Sequence, residues 1–140
     1  MSVGVKVGSI VGEVGASSFL NGFFSTIAGL LEGGHPGSRF PIISVDFYGG
    51  HVEADKVERA IEELRTIRTE LTGYPSSAVI WDLEDRSKVP PWGDAISPTI
   101  QSMGDYFVSS TGRDLFELLF EAFSHALKRK RPVDIVEVKL

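Results

Sequence analysis

Residues 114–138 read DLFELLFEAFSHALKRKRPVDIVEV. Leu115, Leu118, Leu119, Ala122, Phe123, Ala126 and Leu127 recur at intervals of three and four, the best helical stripe in the chain. Thr111-Gly112-Arg113-Asp114 supplies a turn and a cap, and Lys128 to Arg131 place cations where the helix dipole favours them. Pro132 stops the helix, and Val133 to Val138 follows as a final strand. An amphipathic helix running into a strand points to a chain that mixes both kinds of element.

Working back towards the N-terminus, Tyr106-Phe107-Val108 reads as a short strand, and so does Ser77 to Leu83, with Val79, Trp81 and Leu83 on one face. Asp55 opens a helix, with Glu58 three residues on in the manner of a capping box. Val57, Ala60, Ile61, Leu64, Ile67 and Leu71 form its buried stripe, Arg59 and Glu63 can pair outside, and Gly73 and Pro75 end it. Arg39 to Tyr48 is either an edge strand, with Pro41 at the edge, or a short helix with Phe40, Ile43 and Phe47 inward. Phe19, Leu20, Phe23, Phe24, Ile27, Leu30 and Leu31 form the stripe of another helix, which Ser17 or Ser18 can cap. Its other face, Asn21, Ser25, Thr26 and Gly29, is small and hardly charged, as suits a face covered by another element. Val3, Val5, Val7 and Val11 alternate with smaller or polar residues, with Ser9 and Ile10 out of step, and predict one strand that Gly12 and Gly15 end. The expectation is α+β: a single domain over residues 1–140, with a mixed or antiparallel sheet packed with about three amphipathic helices.

Composition narrows the chemistry. The chain has no cysteine, which removes disulfides, thiol catalysis and Cys-based zinc sites. A net charge of −5 weighs against a nucleic-acid binder and for a basic partner. MSVGVKVGSIVGEVG lacks the basic lead and continuous apolar run of a signal peptide, and no stretch has the ~20 apolar residues of a membrane span. A soluble, cytoplasmic protein is expected. His35, His51 and His125 show no i, i+4 metal spacing, and there is no P-loop, G-x-S-x-G or G-x-G-x-x-G. No catalytic residue, metal or cofactor is assigned.

The chain is organised around residues 79–98, VIWDLEDRSKVPPWGDAISP, which hold both tryptophans and three of the seven prolines. Pro90-Pro91 stiffens the approach to Trp92, so little loop entropy is lost on binding, and tryptophan is over-represented among residues that dominate interfaces. Asp82, Glu84, Asp85 and Asp94 surround this loop. As a group they suit Lys and Arg on a protein partner; singly they read as solvated loop residues, and an acid–base pair or Mg²⁺ ligation by Asp82 and Asp85 is a further reading. Trp92 reads equally as a lid folded back on the core, and Trp81 as a core residue. The candidate partner-binding set is Trp92, Asp94, Asp82, Glu84, Asp85 and Pro91.

These stretches carry a resemblance. VGSI at 7–10, FLNGFFSTIA at 19–28, GSRFP at 37–41, VIWDLEDRSKVPPWGDAIS at 79–97 and DYFVSSTGRDLF at 105–116 are similar to the immunity protein 70 family of bacterial polymorphic toxin systems. The PPWGD-x-IS block with its preceding Trp-Asp is the most specific of them. The resemblance implies a small cytoplasmic α+β antitoxin that protects its host by binding and neutralising a cognate toxin domain, with no catalysis of its own. Occluding the toxin's active site is one mechanism for that, and capture of a basic, nuclease-like substrate groove by the carboxylates is another. It transfers no residue-level site. The competing readings are a small carboxylate enzyme, with or without Mg²⁺, and a self-associating subunit (a homo-oligomer) motivated by the bland Ser25, Thr26, Gly29 face.

Overall fold

The computed structural model describes residues 2–93 and 96–138. In chain order these are β1 (Ser2–Val7), β2 (Ile10–Ala16), α1 (Ser17–Leu31), a π-helical turn (Ile42–Phe47), β3 (His51–Val52), α2 (Val57–Leu71), α3 (Leu115–Arg129) and β4 (Val133–Val138). Short 3₁₀ turns cover Ala54–Lys56 and Ser76–Ala78. The sheet runs β2-β1-β4-β3, with every neighbouring pair antiparallel. Val3, Val5 and Val7 of β1 point into one core with the apolar stripes of all three helices, giving an α+β domain.

The first strand is two. Val7 pairs with Ile10 across Gly8-Ser9, so the residues that fell out of step mark a hairpin turn. Gly8 has φ +60, which a two-residue turn of this kind requires at its first position. The register slips between Val3 and Gly4, which face Gly15 and Glu13, and this bulge leads β2 into α1.

The helical stripes lie where periodicity places them, but the ends differ. Ala16 precedes α1 with no side-chain cap, so neither Ser17 nor Ser18 caps it. A 3₁₀ turn precedes α2, whose cap position is Lys56, and no capping box forms from Asp55 and Glu58. Asp114 does cap α3, accepting from the Phe116 N–H at 3.2 Å. Left-handed Lys130 closes that helix before Pro132.

The ambiguous segment is helical, with Phe40, Ile43 and Phe47 buried. Pro41 has no N–H, and the free N–H groups of Ile42 and Ile43 turn to the Glu63 carboxylate at 3.1 and 2.9 Å. Glu63 is therefore buried rather than paired with Arg59 on the surface, and burial foremost raises its pKa. Buried Glu32, just past α1, accepts from the N–H groups of Gly37, Arg39 and Phe40 at 2.8, 3.1 and 3.1 Å, and from the Ser44 hydroxyl at 2.5 Å. Two carboxylates thus hold residues 37–44 to α1 and α2 through main-chain donors that would otherwise be orphaned.

Ser77 to Leu83 is not a strand. After the Ser76–Ala78 turn it lies extended along α1 instead of joining the sheet. Thr26 Oγ1 accepts from the Ile80 N–H at 3.0 Å and donates to the Ile80 carbonyl at 3.1 Å. Ser25 Oγ accepts from the Leu83 N–H at 3.1 Å. A Cβ on Gly22 would lie 2.7 Å from the Trp81 ring, and one on Gly29 would lie 2.2 Å from Ile80 Cδ1. The small face of α1 is small because this segment lies on it, and the face that motivated self-association is covered by the chain itself. Tyr106 to Val108 is likewise reduced to a single bridge, Val108 with Asp114.

Candidate functional site

The docked segment sets where the acidic loop begins. Trp81 is buried against α1, and the chain emerges at Asp82. Asp82 Oδ1 accepts from the Glu84 N–H at 3.0 Å, and Oδ2 lies 3.5 Å from Lys88 Nζ. Asp85 Oδ1 accepts from the Ser87 N–H at 3.1 Å and its hydroxyl at 2.5 Å. The Ser87 hydroxyl is the main reason the Asp85 carboxyl is held below its ordinary pKa. These oxygens are engaged by their own loop, which disfavours Asp82 and Asp85 as an Mg²⁺ pair. Among the described residues no group of three or more His, Asp or Glu side chains is placed to hold a metal ion.

Trp92 folds back. Its ring meets Trp81 edge-to-face at 5.3 Å, and its Nε1 donates to Tyr106 Oη at 2.8 Å. It remains 38% exposed, so it packs against Trp81 while staying partly open to solvent. Burial is the main cause of the raised pKa of Tyr106 beneath it. Pro91 is exposed beside it. Asp94 lies outside the described residues.

The candidate residues fall into two settings. Trp92 belongs to a stack with Trp81 and Tyr106, next to a hollow of about 580 Å³ lined by Trp81, Pro90 and Tyr106 together with Arg86 and Lys88. Asp82 and Glu84 instead line a groove of about 370 Å³ with Phe24, Ala28, Tyr48 and Leu83. Tyr48 is 57% exposed and meets Phe24 edge-to-face at 5.2 Å. The groove offers an aromatic wall, an apolar floor and carboxylates, the combination that receives the aliphatic stem and cationic head of a Lys or Arg. Sequence reasoning missed Tyr48. Its signal was an aromatic at the end of a segment whose inward residues were already assigned.

Of the histidines, His51 has a defined setting. Its Nδ1 lies 2.5 Å from Asp134 Oδ1 and its Nε2 lies 3.2 Å from Glu53 Oε1. The Asp134 hydrogen bond is the largest cause of its raised pKa. No helix among the described residues is long and apolar enough to cross a membrane.

Compared with known proteins, the chain matches the family model described as Immunity protein 70 over residues 5–135. No curated protein and no solved structure matches it.

Proposed function

Because the chain belongs to the Immunity protein 70 family, we propose that it neutralises a cognate toxin domain by binding it and covering its active site. It acts by occlusion, without catalysis. The contact is the groove between α1 and the acidic loop, with Glu84 and Asp82 meeting a basic side chain of the toxin and Tyr48 packing along its stem. The observation that carries this reading is the shared lining of that groove: two carboxylates beside an exposed tyrosine, on a chain with net charge −5. Acidic surfaces of this kind accelerate encounter with a basic partner.

The test begins with a pull-down of the tagged protein from its own host and identification of the captured toxin by mass spectrometry. Association of the purified pair is then followed at increasing salt. Glu84→Gln with Tyr48→Ala should slow association or weaken the complex about tenfold, and salt should slow the wild type. Undiminished inhibition of the toxin by that double variant would move the contact elsewhere. Failure of the wild type to inhibit any captured protein would remove the toxin reading itself.

A further inference from the structure

β2 is an outer strand of the sheet, and no strand among the described residues pairs with its far edge. The direction of its main-chain groups follows from the register. The Ile135 N–H donates to the Gly50 carbonyl at 2.9 Å, on the β3 side, so the neighbouring Asp134 and Val136 face β1. They pair with Lys6 and Gly4, which leaves Val5 and Val7 to bond β2. Val5 and Val7 pair with Gly12 and Ile10. Between these, Val11 and Glu13 turn their N–H and C=O groups out of the sheet.

Further along, the Ser110 N–H takes the Val14 carbonyl at 3.0 Å, so a loop occupies the edge from Val14 onward. The open stretch is Ile10 to Glu13. Ile10 is 57% and Val11 46% exposed, and the strand has no lysine or proline of the kind that blunts an edge.

We infer that this edge pairs with the same edge of a second copy, two β2 strands running antiparallel about a two-fold axis at Gly12. That register sets Val11 opposite Glu13 of the second copy, and each such pair exchanges both main-chain hydrogen bonds. Axes at Val11 or at Glu13 use only one of the two residues in self-pairing, and the latter sets the Glu13 carboxylates face to face. At Gly12 no side chain crowds the axis. On the face away from the helices, Val11 then lies between its own Lys6 and Glu13 of the second copy, so opposite charges flank it across the joint. This self-complementarity selects a second copy over an unrelated strand. The like-charged Glu13 diagonal opposes it, and so short an edge buries less than the ~1,200 Å² of stable interfaces, which makes the dimer weak and rapidly exchanging. It involves no residue of the acidic groove.

Sedimentation of the wild type up to about 1 mM should show reversible dimerisation, in the weak class of complexes. Val11→Glu, which sets like charges directly opposite each other at both Val11–Glu13 pairs, should weaken it about tenfold without changing thermal unfolding. Val11→Pro should do the same, because the N–H it removes points away from β1. Should either variant fold poorly, the wild type alone decides: exchange of the Val11 and Glu13 amide protons should slow as concentration rises. A wild type monomeric throughout, a dimer unaffected by Val11→Glu, or concentration-independent exchange at both amides would overturn the proposal.

Discussion

Thr26→Val removes one oxygen and tests how the central segment is held. The Thr26 side chain is buried, and its hydroxyl is bonded to both the N–H and the carbonyl of Ile80, at 3.0 and 3.1 Å. Ile80 is itself 5% exposed, so water does not replace the hydroxyl freely. Each main-chain group left without a partner costs ~1–3 kcal/mol. The added methyl recovers ~1 kcal/mol or less through burial. The net loss is about 2–4 kcal/mol, a large fraction of the ~5–15 kcal/mol that holds a domain folded. At this chain length that lowers Tm by roughly 8–15 °C. Urea unfolding followed by circular dichroism measures it, with an unchanged slope showing that the cooperative unit is intact. Ser25→Ala is the control: it frees only the half-buried Leu83 N–H and should cost about 1 kcal/mol or less. A Thr26→Val protein within about 0.5 kcal/mol of wild type would refute the claim that this hydroxyl docks the segment.

Trp92→Ala removes the edge contact with Trp81 and the hydrogen bond to Tyr106, and should destabilise the fold by about 1–3 kcal/mol; Trp92→Phe, which keeps an aromatic ring, should cost about half as much. Wild-type stability in Trp92→Ala would show that the ring serves only a partner. Glu63→Gln tests the buried carboxylate against pH. Its folded pKa is raised, so the folded state binds more protons than the unfolded state between the ordinary glutamate value and the raised one. The Glu63 contribution is therefore greatest below that window and declines as pH rises through it. Gln keeps an acceptor for the Ile43 N–H and does not titrate, so its stability relative to wild type should improve from about pH 4 towards pH 7, read from urea midpoints. Parallel profiles would contradict the assignment.

Where one face of an element meets the core, the sequence was informative. The stripes of α2 and α3 are legible because a helix returns every third or fourth residue to one side, and only apolar residues are cheap there. The small face of α1 also announced that something lies on it. What lies there was not legible. Val79, Trp81 and Leu83 alternate as a strand would, yet Ile80 and Leu83 bond to hydroxyls of Thr26 and Ser25 instead of to a ladder. Alternation reports that an extended chain has two environments, and a helix can supply one of them. The N-terminal hairpin was hidden for a related reason: apolar alternation continues through Gly8-Ser9 with only a break in step.

The candidate site divides in the same way. Its acidic and aromatic composition was plain in residues 79–98, and Trp92 as a lid was one of two readings open there. Tyr48 entered only through the fold, because the π-helical turn packs beside α1 and places it next to Phe24. Glu63 shows the limit of local rules. Spacing offers it Arg59 at i−4, a contact worth ~0.2–0.5 kcal/mol, whereas two N–H groups following Pro41 offer it a buried role.

The sequence by itself determined the class of fold, the core faces of the helices and the family, because periodicity and motif are properties of neighbours along the chain. The tertiary structure decided which acceptor meets which orphaned donor, which face of α1 the central segment covers, and that Asp82, Glu84 and Tyr48 share one groove. Those are contacts between residues far apart in the chain, chosen by the need to satisfy buried polar groups after the helices and sheet have come together.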